Sequence, residues 1–186
     1  LNVANVRINL LTPTQVGYLT TAQVQSLPFW DFEFLSPAQI PLLTTSQIAS
    51  INATGAFDNW SAASKAALTV PQIQSLNMSL VRPTVLSPAQ LGSLTAVQIQ
   101  SIAYYDLNLL TAPQIPYLTT AQIASMPTTG FLSAWTPAAR AALTAPQVRA
   151  IGAGALSLPL LTASQIGFLT TAQVQSLPFW DFEFLS

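Results

Sequence analysis

The chain contains no cysteine and no histidine in 186 residues, which removes disulfides, thiolate chemistry, an imidazole base and the usual transition-metal sites. Charge is scarce too. Five basic residues stand against six acidic ones, so no basic stripe for nucleic acid is expected. Neither an Asp-x-Asp-x-Asp loop nor a Gly-Gly-x-Gly-x-Asp nonapeptide occurs, so no calcium site and no other metal or cofactor is expected. Long hydrophobic runs are missing although half the residues are hydrophobic. The longest near-apolar stretch, 150–161, is broken by Gly152, Gly154, Ser157 and Pro159, and is too short to span a bilayer. Membrane insertion is therefore not expected. No basic leader with a cleavage site is present either, so an export signal would lie outside these residues.

What the chain has in abundance is repetition. Residues 18–36 return at 168–186 with one change, Tyr18 becoming Phe168. Both ends fall inside the pattern, so the chain reads as a window on a longer array, with Pro-Ala-Gln-Ile expected after Ser186. Beneath this lies an eight-residue phrase, Leu-[Thr/Ser]-x-x-Gln-[Ile/Val]-x-x, occurring fourteen times in seven tandem pairs. The pairs begin at Leu11, Leu35, Trp60, Leu86, Leu110, Trp135 and Leu161, and an eighth would start at Leu185. The steps run 24, 25, 26, 24, 25, 26 and 24 residues, which makes a 75-residue super-repeat and a near-identical 150-residue repeat. Arrays of this kind bury each unit on its neighbours and build scaffolds or extended binding surfaces in preference to enzyme pockets.

Each phrase has the chemistry of a helix start. The Thr or Ser hydroxyl accepts from the backbone N–H three residues on, and the Gln side chain reaches back to the Thr N–H. The expected structural caps are Thr12/Gln15, Thr20/Gln23, Ser36/Gln39, Thr44/Gln47, Thr111/Gln114, Thr119/Gln122, Thr162/Gln165 and Thr170/Gln173, with Thr69, Ser87, Thr95 and Thr144 opening further phrases. Pro13, Pro37, Pro88 and Pro137 sit at the first helical position, where a missing N–H costs nothing. The next Leu-Thr follows at once, and Pro41 and Pro116 would break anything longer, so each helix lasts one to two turns. Such helices are marginal alone and need neighbouring coils to hold them.

Between pairs, the positions five, three and one before the leading residue are apolar: Val6/Ile8/Leu10, Trp30/Phe32/Phe34, Tyr105/Leu107/Leu109, Leu156/Leu158/Leu160 and Trp180/Phe182/Phe184. Arg7/Asn9, Asp31/Glu33, Asp106/Asn108 and Asp181/Glu183 lie between them. Period-two alternation predicts a half-buried strand. Pro83 and Pro159 count against it. The expected fold is thus an α/β solenoid, a curved or superhelical stack of strand–short helix–short helix coils spanning about 5–27, 29–51, 55–76, 80–102, 104–126, 130–151, 155–177 and 179–186. The alternative is an all-α solenoid of short helices joined by extended linkers. Strands paired in register would set Arg7 opposite Asp31 and Arg82 opposite Asp106.

Candidate functional residues are few. Asp31 with Glu33, and Asp181 with Glu183, would each share a strand face, an arrangement a glycosidase could use, although solvation of an aromatic-rich strand explains them more simply. The middle coil of each trio replaces the usual phrase by Trp60-Ser-Ala-Ala-Ser-Lys65 and Trp135-Thr-Pro-Ala-Ala-Arg140. Trp60, Lys65, Trp135 and Arg140, with Asp31, Glu33, Asp106, Asp181 and Glu183, are therefore the candidate contact surface. The opposing reading makes each Trp fill a wider corner that the cation's stem covers.

The tandem phrases, for instance Leu11-Thr-Pro-Thr-Gln-Val-Gly-Tyr-Leu-Thr-Thr-Ala-Gln-Val, resemble the Leu-Thr-x-x-Gln-[Ile/Val] octads of giant bacterial secreted or cell-surface repeat proteins. The resemblance covers about 112 of the 186 residues. It implies an extracellular structural role in a filament, sheath or adhesin stalk, with further copies of the same repeat as the main partner and a cell-surface glycan or protein as the other. The chain departs from that pattern by inserting a further segment after every second octad. One phrase is also similar to the first helix of a transcription-activator-like effector repeat, but the longer second helix and the basic surface are missing. Catalysis is not expected; a carbohydrate- or protein-binding solenoid is the alternative, and a cell-wall glycosidase the remote one.

Overall fold

The computed structural model describes residues 7–51, 55–127, 130–179, 181 and 183, leaving aside the side chain of Phe29. The chain divides into two compact units, Leu1–Ser93 and Leu94–Ser186. In the first, phrases form the helices Pro13–Gly17, Thr21–Gln25, Thr45–Ala49, Ala62–Ala66, Val70–Gln74 and Pro88–Leu91. In the second they form Ala96–Ser101, Thr120–Ala124, Pro137–Ala141, Ala145–Ala150, Ala163–Ile166 and Thr171–Gln175.

Each helix stops after little more than a turn because the next cap residue leaves helical space. Thr20 has φ −72° and ψ 157°, and Thr119 has φ −73° and ψ 159°, the extended conformation that lets their hydroxyls turn onto the backbone N–H three residues on. Both halves of the capping box are present at Thr12/Gln15, Thr20/Gln23, Thr44/Gln47, Thr119/Gln122, Thr162/Gln165 and Thr170/Gln173.

Two of the expected caps, Ser36/Gln39 and Thr111/Gln114, need correction. Neither opens an α-helix: each phrase makes a turn followed by a 3-10 segment, Ile40–Leu42 or Ile115–Tyr117, and Gln39 and Gln114 are themselves the residues that precede those segments, both at φ −85° and ψ −31°. Only one half of the box survives. Gln39 Oε1 and Gln114 Oε1 still accept from the backbone N–H of Ser36 and Thr111, at 2.7 and 2.9 Å. The hydroxyls, however, donate to those same oxygens, at 2.9 Å in each case, while the N–H groups of Gln39 and Gln114 bond the carbonyls of Ser36 and Thr111. Proline is the physical reason. Pro41 and Pro116 lack the N–H that would continue the α-helical ladder, so the turn tightens to the 3-10 form.

No strand occurs among the described residues, so the expected α/β solenoid is overturned and each unit is an all-helical stack, as in the all-α alternative. The segments read as strands are one or two helical turns: 3-10 helices at Ile8–Leu10, Phe29–Phe34, Pro83–Val85 and Leu158–Leu160, and a short α-turn at Tyr104–Leu107; the middle-coil segment Phe131–Ala134, where a looser turn or shortened strand is expected, is also a short α-turn. Burial explains the misreading. The residue three before the leading position and the leading residue itself are the buried pair, as in Phe32/Leu35, Phe57/Trp60, Leu107/Leu110 and Leu132/Trp135. The residue one before is exposed in Leu10, Phe34 and Leu109, and so are Trp30 and Tyr105 five before. The governing period is three, closed by N–H to C=O bonds from Leu11 to Ile8, Leu35 to Phe32 and Leu110 to Leu107. Alternating apolar residues mimicked a pleat because several of them face solvent. Val6, Trp180, Phe182, Phe184, Leu185 and Ser186 lie outside the described residues.

The core of each unit is a column of phrase positions. Val16, Ile40 and Leu91 in the first unit and Ile115 in the second are fully buried, as are Val24, Ile48 and Ile73, and Ile123 and Val148, in the paired phrases. Fully burying each such side chain contributes about 1.5–3 kcal/mol, which isolated one-turn helices cannot obtain. Packing is close enough that backbone approaches side-chain space. A Cβ on Gly17 would lie 2.8 Å from the carbonyl oxygen of Leu42, in the following coil.

Candidate functional site

The most heavily used side chain is the phrase glutamine. Its Oε1 closes the cap of its own helix or turn, while its Nε2 donates to carbonyls of the preceding coil. In the first unit Gln39 reaches Leu11 O at 2.8 Å, Gln47 reaches Leu19 O at 2.6 Å, and Gln72 reaches both Leu43 O and Ile40 O at 2.7 Å. In the second unit Gln122 reaches Leu94 O at 2.7 Å, and Gln147 reaches Leu118 O at 2.6 Å and Ile115 O at 2.7 Å. These amides are buried, and so is Gln114. One planar group with an acceptor and a donor thus pairs an orphan N–H at one helix start and orphan carbonyls where the coil below ends its turn. Sequence reasoning assigned only the capping half. A signal for the other half was present: glutamate serves a capping box equally well, yet it never occupies this position in fourteen phrases, as a ladder that needs a donor requires.

The middle coils break the ladder, and their geometry says how. Trp60 and Trp135 are buried, so neither offers a surface contact, which corrects that part of the expected contact surface. Each packs on a phenylalanine: Phe57 with ring centroids 4.8 Å apart, and Phe131 edge-on at 5.3 Å. Both indole Nε1 atoms are buried without a hydrogen-bond partner. At the glutamine position Ser64 gives a single bond from its Oγ to Leu35 O, 2.7 Å, and Ala139 gives none. The cations turn inward. Lys65 Nζ donates to Asp58 O at 2.8 Å, and Arg140 donates to Trp135 O at 2.7 Å and Leu132 O at 3.1 Å.

The coil that follows is displaced. Gln90 donates to Lys65 O at 2.8 Å, 25 residues back, whereas the other first-unit glutamines reach the leading residue 28 or 29 back. In the second unit Gln165 bonds Arg140 O and Leu143 O, and Gln173 bonds Val148 O and Ile151 O, 25 and 22 residues back in each case. The stack has slipped forward by one phrase. In the first unit an open groove of about 340 Å³ lies where the displaced coil meets the one before it, lined by Ala62, Lys65, Val85, Leu86, Ser87 and Gln90.

The acidic candidates are scattered. Asp31 is half-buried and Glu33 exposed on the turn Phe29–Phe34; residues two apart on a 3-10 helix project to different sides, so the shared face expected of a strand is lost. Asp106 is half-buried on Tyr104–Leu107. Asp181 is buried and Glu183 exposed, and the residue between them lies outside the described set. Arg82 pairs with Asp58 of the coil before it, at 3.7 Å, with side-chain exposures of 61% and 33%, a geometry that contributes little. No group of three metal-ligating side chains occurs among the described residues, and no helix there is long and apolar enough to cross a membrane. Exposed aromatic rings cluster on the interphrase turns, at Trp30 and Phe34 in the first unit and at Tyr104 and Tyr105 in the second.

No protein-family model, curated protein or solved structure matches the chain.

Proposed function

We propose that the chain is a structural repeat protein, built for an extracellular or cell-surface filament, sheath or adhesin stalk. The observation that carries this reading is the glutamine ladder: each coil offers glutamine donors to the coil before it and carbonyl acceptors to the coil after it. A fold held by such contacts extends by repetition and needs no closed end to complete its core. The octad resemblance supports the cell-surface setting. Electron microscopy of native material tests the proposal: ordered fibres with a constant axial repeat are expected, and dispersed particles without such order would refute it.

A second reading rests on the exposed rings. Trp30 and Phe34 flank Asp31 and Glu33, and aromatic faces beside carboxylates suit sugar rings and their hydroxyls. Under this reading a glycan array probed with the soluble chain gives binding that Trp30→Ala and Phe34→Ala abolish together.

A further inference from the structure

We propose that Arg140, the cation of the middle coil in the second unit, sets the register in which the next coil stacks. The inference goes beyond the scaffold reading and holds whether or not the chain forms fibres. Gln39, Gln47, Gln72 and Gln147, which stack in register, each reach back to the carbonyl of the leading residue and to the one three positions before it. Gln39 does this at Leu11 O and Ile8 O, 2.8 and 3.4 Å away. In the coil that begins at Trp135, the corresponding carbonyls belong to Trp135 and Leu132. Arg140 holds both, from within the same coil.

With the guanidinium lying against both carbonyls, an in-register glutamine would meet a competing donor in the space it needs to reach them. A buried amide donor without an acceptor costs about 1–3 kcal/mol, so the next coil settles where free carbonyls remain. Those are one phrase further on, at Arg140 O and Leu143 O, where Gln165 Nε2 lies at 2.7 and 3.2 Å. The second phrase moves with the first, since Gln173 meets Val148 O and Ile151 O, each at 2.9 Å. Five donors on a planar guanidinium let one side chain serve two carbonyls. In the first unit Lys65 donates instead to Asp58 O, which is neither of the corresponding carbonyls, and Gln90 meets Lys65 O. Other first phrases carry Val16, Ile40, Leu91, Ile115 or Ile166 at this position, side chains with no donor to offer those carbonyls.

The competing cause of the slip is chain length alone, because the middle coils are followed by the longest step, 26 residues. Arg140→Ile separates the two, since it removes the cation and keeps the length. In the full chain, with glutamine side chains labelled with nitrogen-15, nuclear Overhauser contacts of the Gln165 amide protons report its position. In the unaltered chain they fall on Arg140 and Leu143. In Arg140→Ile they are expected to move to Leu132 and Trp135, and contacts that stay at position 140 and Leu143 in a folded variant would overturn the proposal. Should Arg140→Ile not fold, Arg140→Met decides: it keeps the length of the stem and removes the donors, so the Gln165 contacts are again expected to move to Leu132 and Trp135, and contacts that stay at position 140 and Leu143 would overturn the proposal equally.

Discussion

Replacing Gln147 by glutamate isolates the ladder from the cap. The new side chain has the same shape and keeps an oxygen for the Thr144 N–H, which lies 2.9 Å from Gln147 Oε1. It turns the donor that faces Ile115 O and Leu118 O, at 2.7 and 2.6 Å, into a second acceptor. Two hydrogen bonds worth about 1 kcal/mol each are lost, and Leu118 O stays buried without its amide, for a total of about 3–5 kcal/mol at pH 7. The loss depends on pH. Burial and two facing carbonyls both disfavour the charged carboxylate, so the pKa of the glutamate in the folded chain lies above its unfolded value of about 4.3. The protonated acid donates to one carbonyl, so stability is greatest below about pH 4.3 and falls as the pH rises through the folded pKa. Gln15→Glu is the control, because Gln15 is exposed and caps Thr12 N–H at 2.8 Å without donating to another coil. There the carboxylate at a helix start is neutral or stabilising by about 0.3–1 kcal/mol. Urea unfolding followed by circular dichroism between about pH 4 and 8 measures both, a range that starts below the unfolded pKa and runs upward in the direction of the shift. Equal stability of the two variants at neutral pH, or a Gln147→Glu chain whose stability rises with pH, would refute the two-handed role of the glutamine.

Two further perturbations probe other contacts. Gly17→Ala forces a Cβ to within 2.8 Å of Leu42 O, a backbone atom that can move only with its coil, so a loss of about 1–3 kcal/mol is expected in thermal unfolding; a change below about 0.5 kcal/mol would show that the coils accommodate the methyl. Arg82→Ala should change stability by less than about 1 kcal/mol in the same assay, because its partner Asp58 is 3.7 Å away at an exposed edge, and a larger loss would mark that pair as a genuine clamp between coils.

The caps were legible because their information is local. Thr119 and Gln122 lie three residues apart, and the bond geometry of a helix start follows from that spacing alone. Thr111 and Gln114 have the same spacing and still depart from the box, because Pro116 outside the pair decides whether a helix follows. The interphrase segments were misread because Phe32 and Phe34 are both apolar while only Phe32 is buried, and the sequence shows residue type without exposure. The sequence nevertheless carries a three-residue periodicity: Phe32 with Leu35, Leu107 with Leu110 and Leu158 with Leu161 are apolar pairs, and Pro83 and Pro159 suit a 3-10 start better than a strand interior. The inward turn of Lys65 and Arg140 was beyond reach, since it depends on carbonyls that only the folded coil brings together.

The unequal coil lengths acquire a cause from the same geometry. Steps of 24 and 25 residues carry Gln39 and Gln72 to leading residues 28 and 29 positions back, which is in register. The step of 26 is the one across which the stack slips, with Gln90 reaching only 25 back in the first unit and Gln165 reaching 25 and 22 back in the second. The longest connection therefore spans the shortest reach, so the added residues serve the route between coils and not the distance between glutamine and acceptor. Those residues lie in 76–85 and 151–160, and in the first unit Val85 lines the groove between the displaced coil and the one before it. In each unit the slip thus falls on the coil that follows the middle coil of its 75-residue super-repeat, and the cation marks the coil on which the displacement occurs.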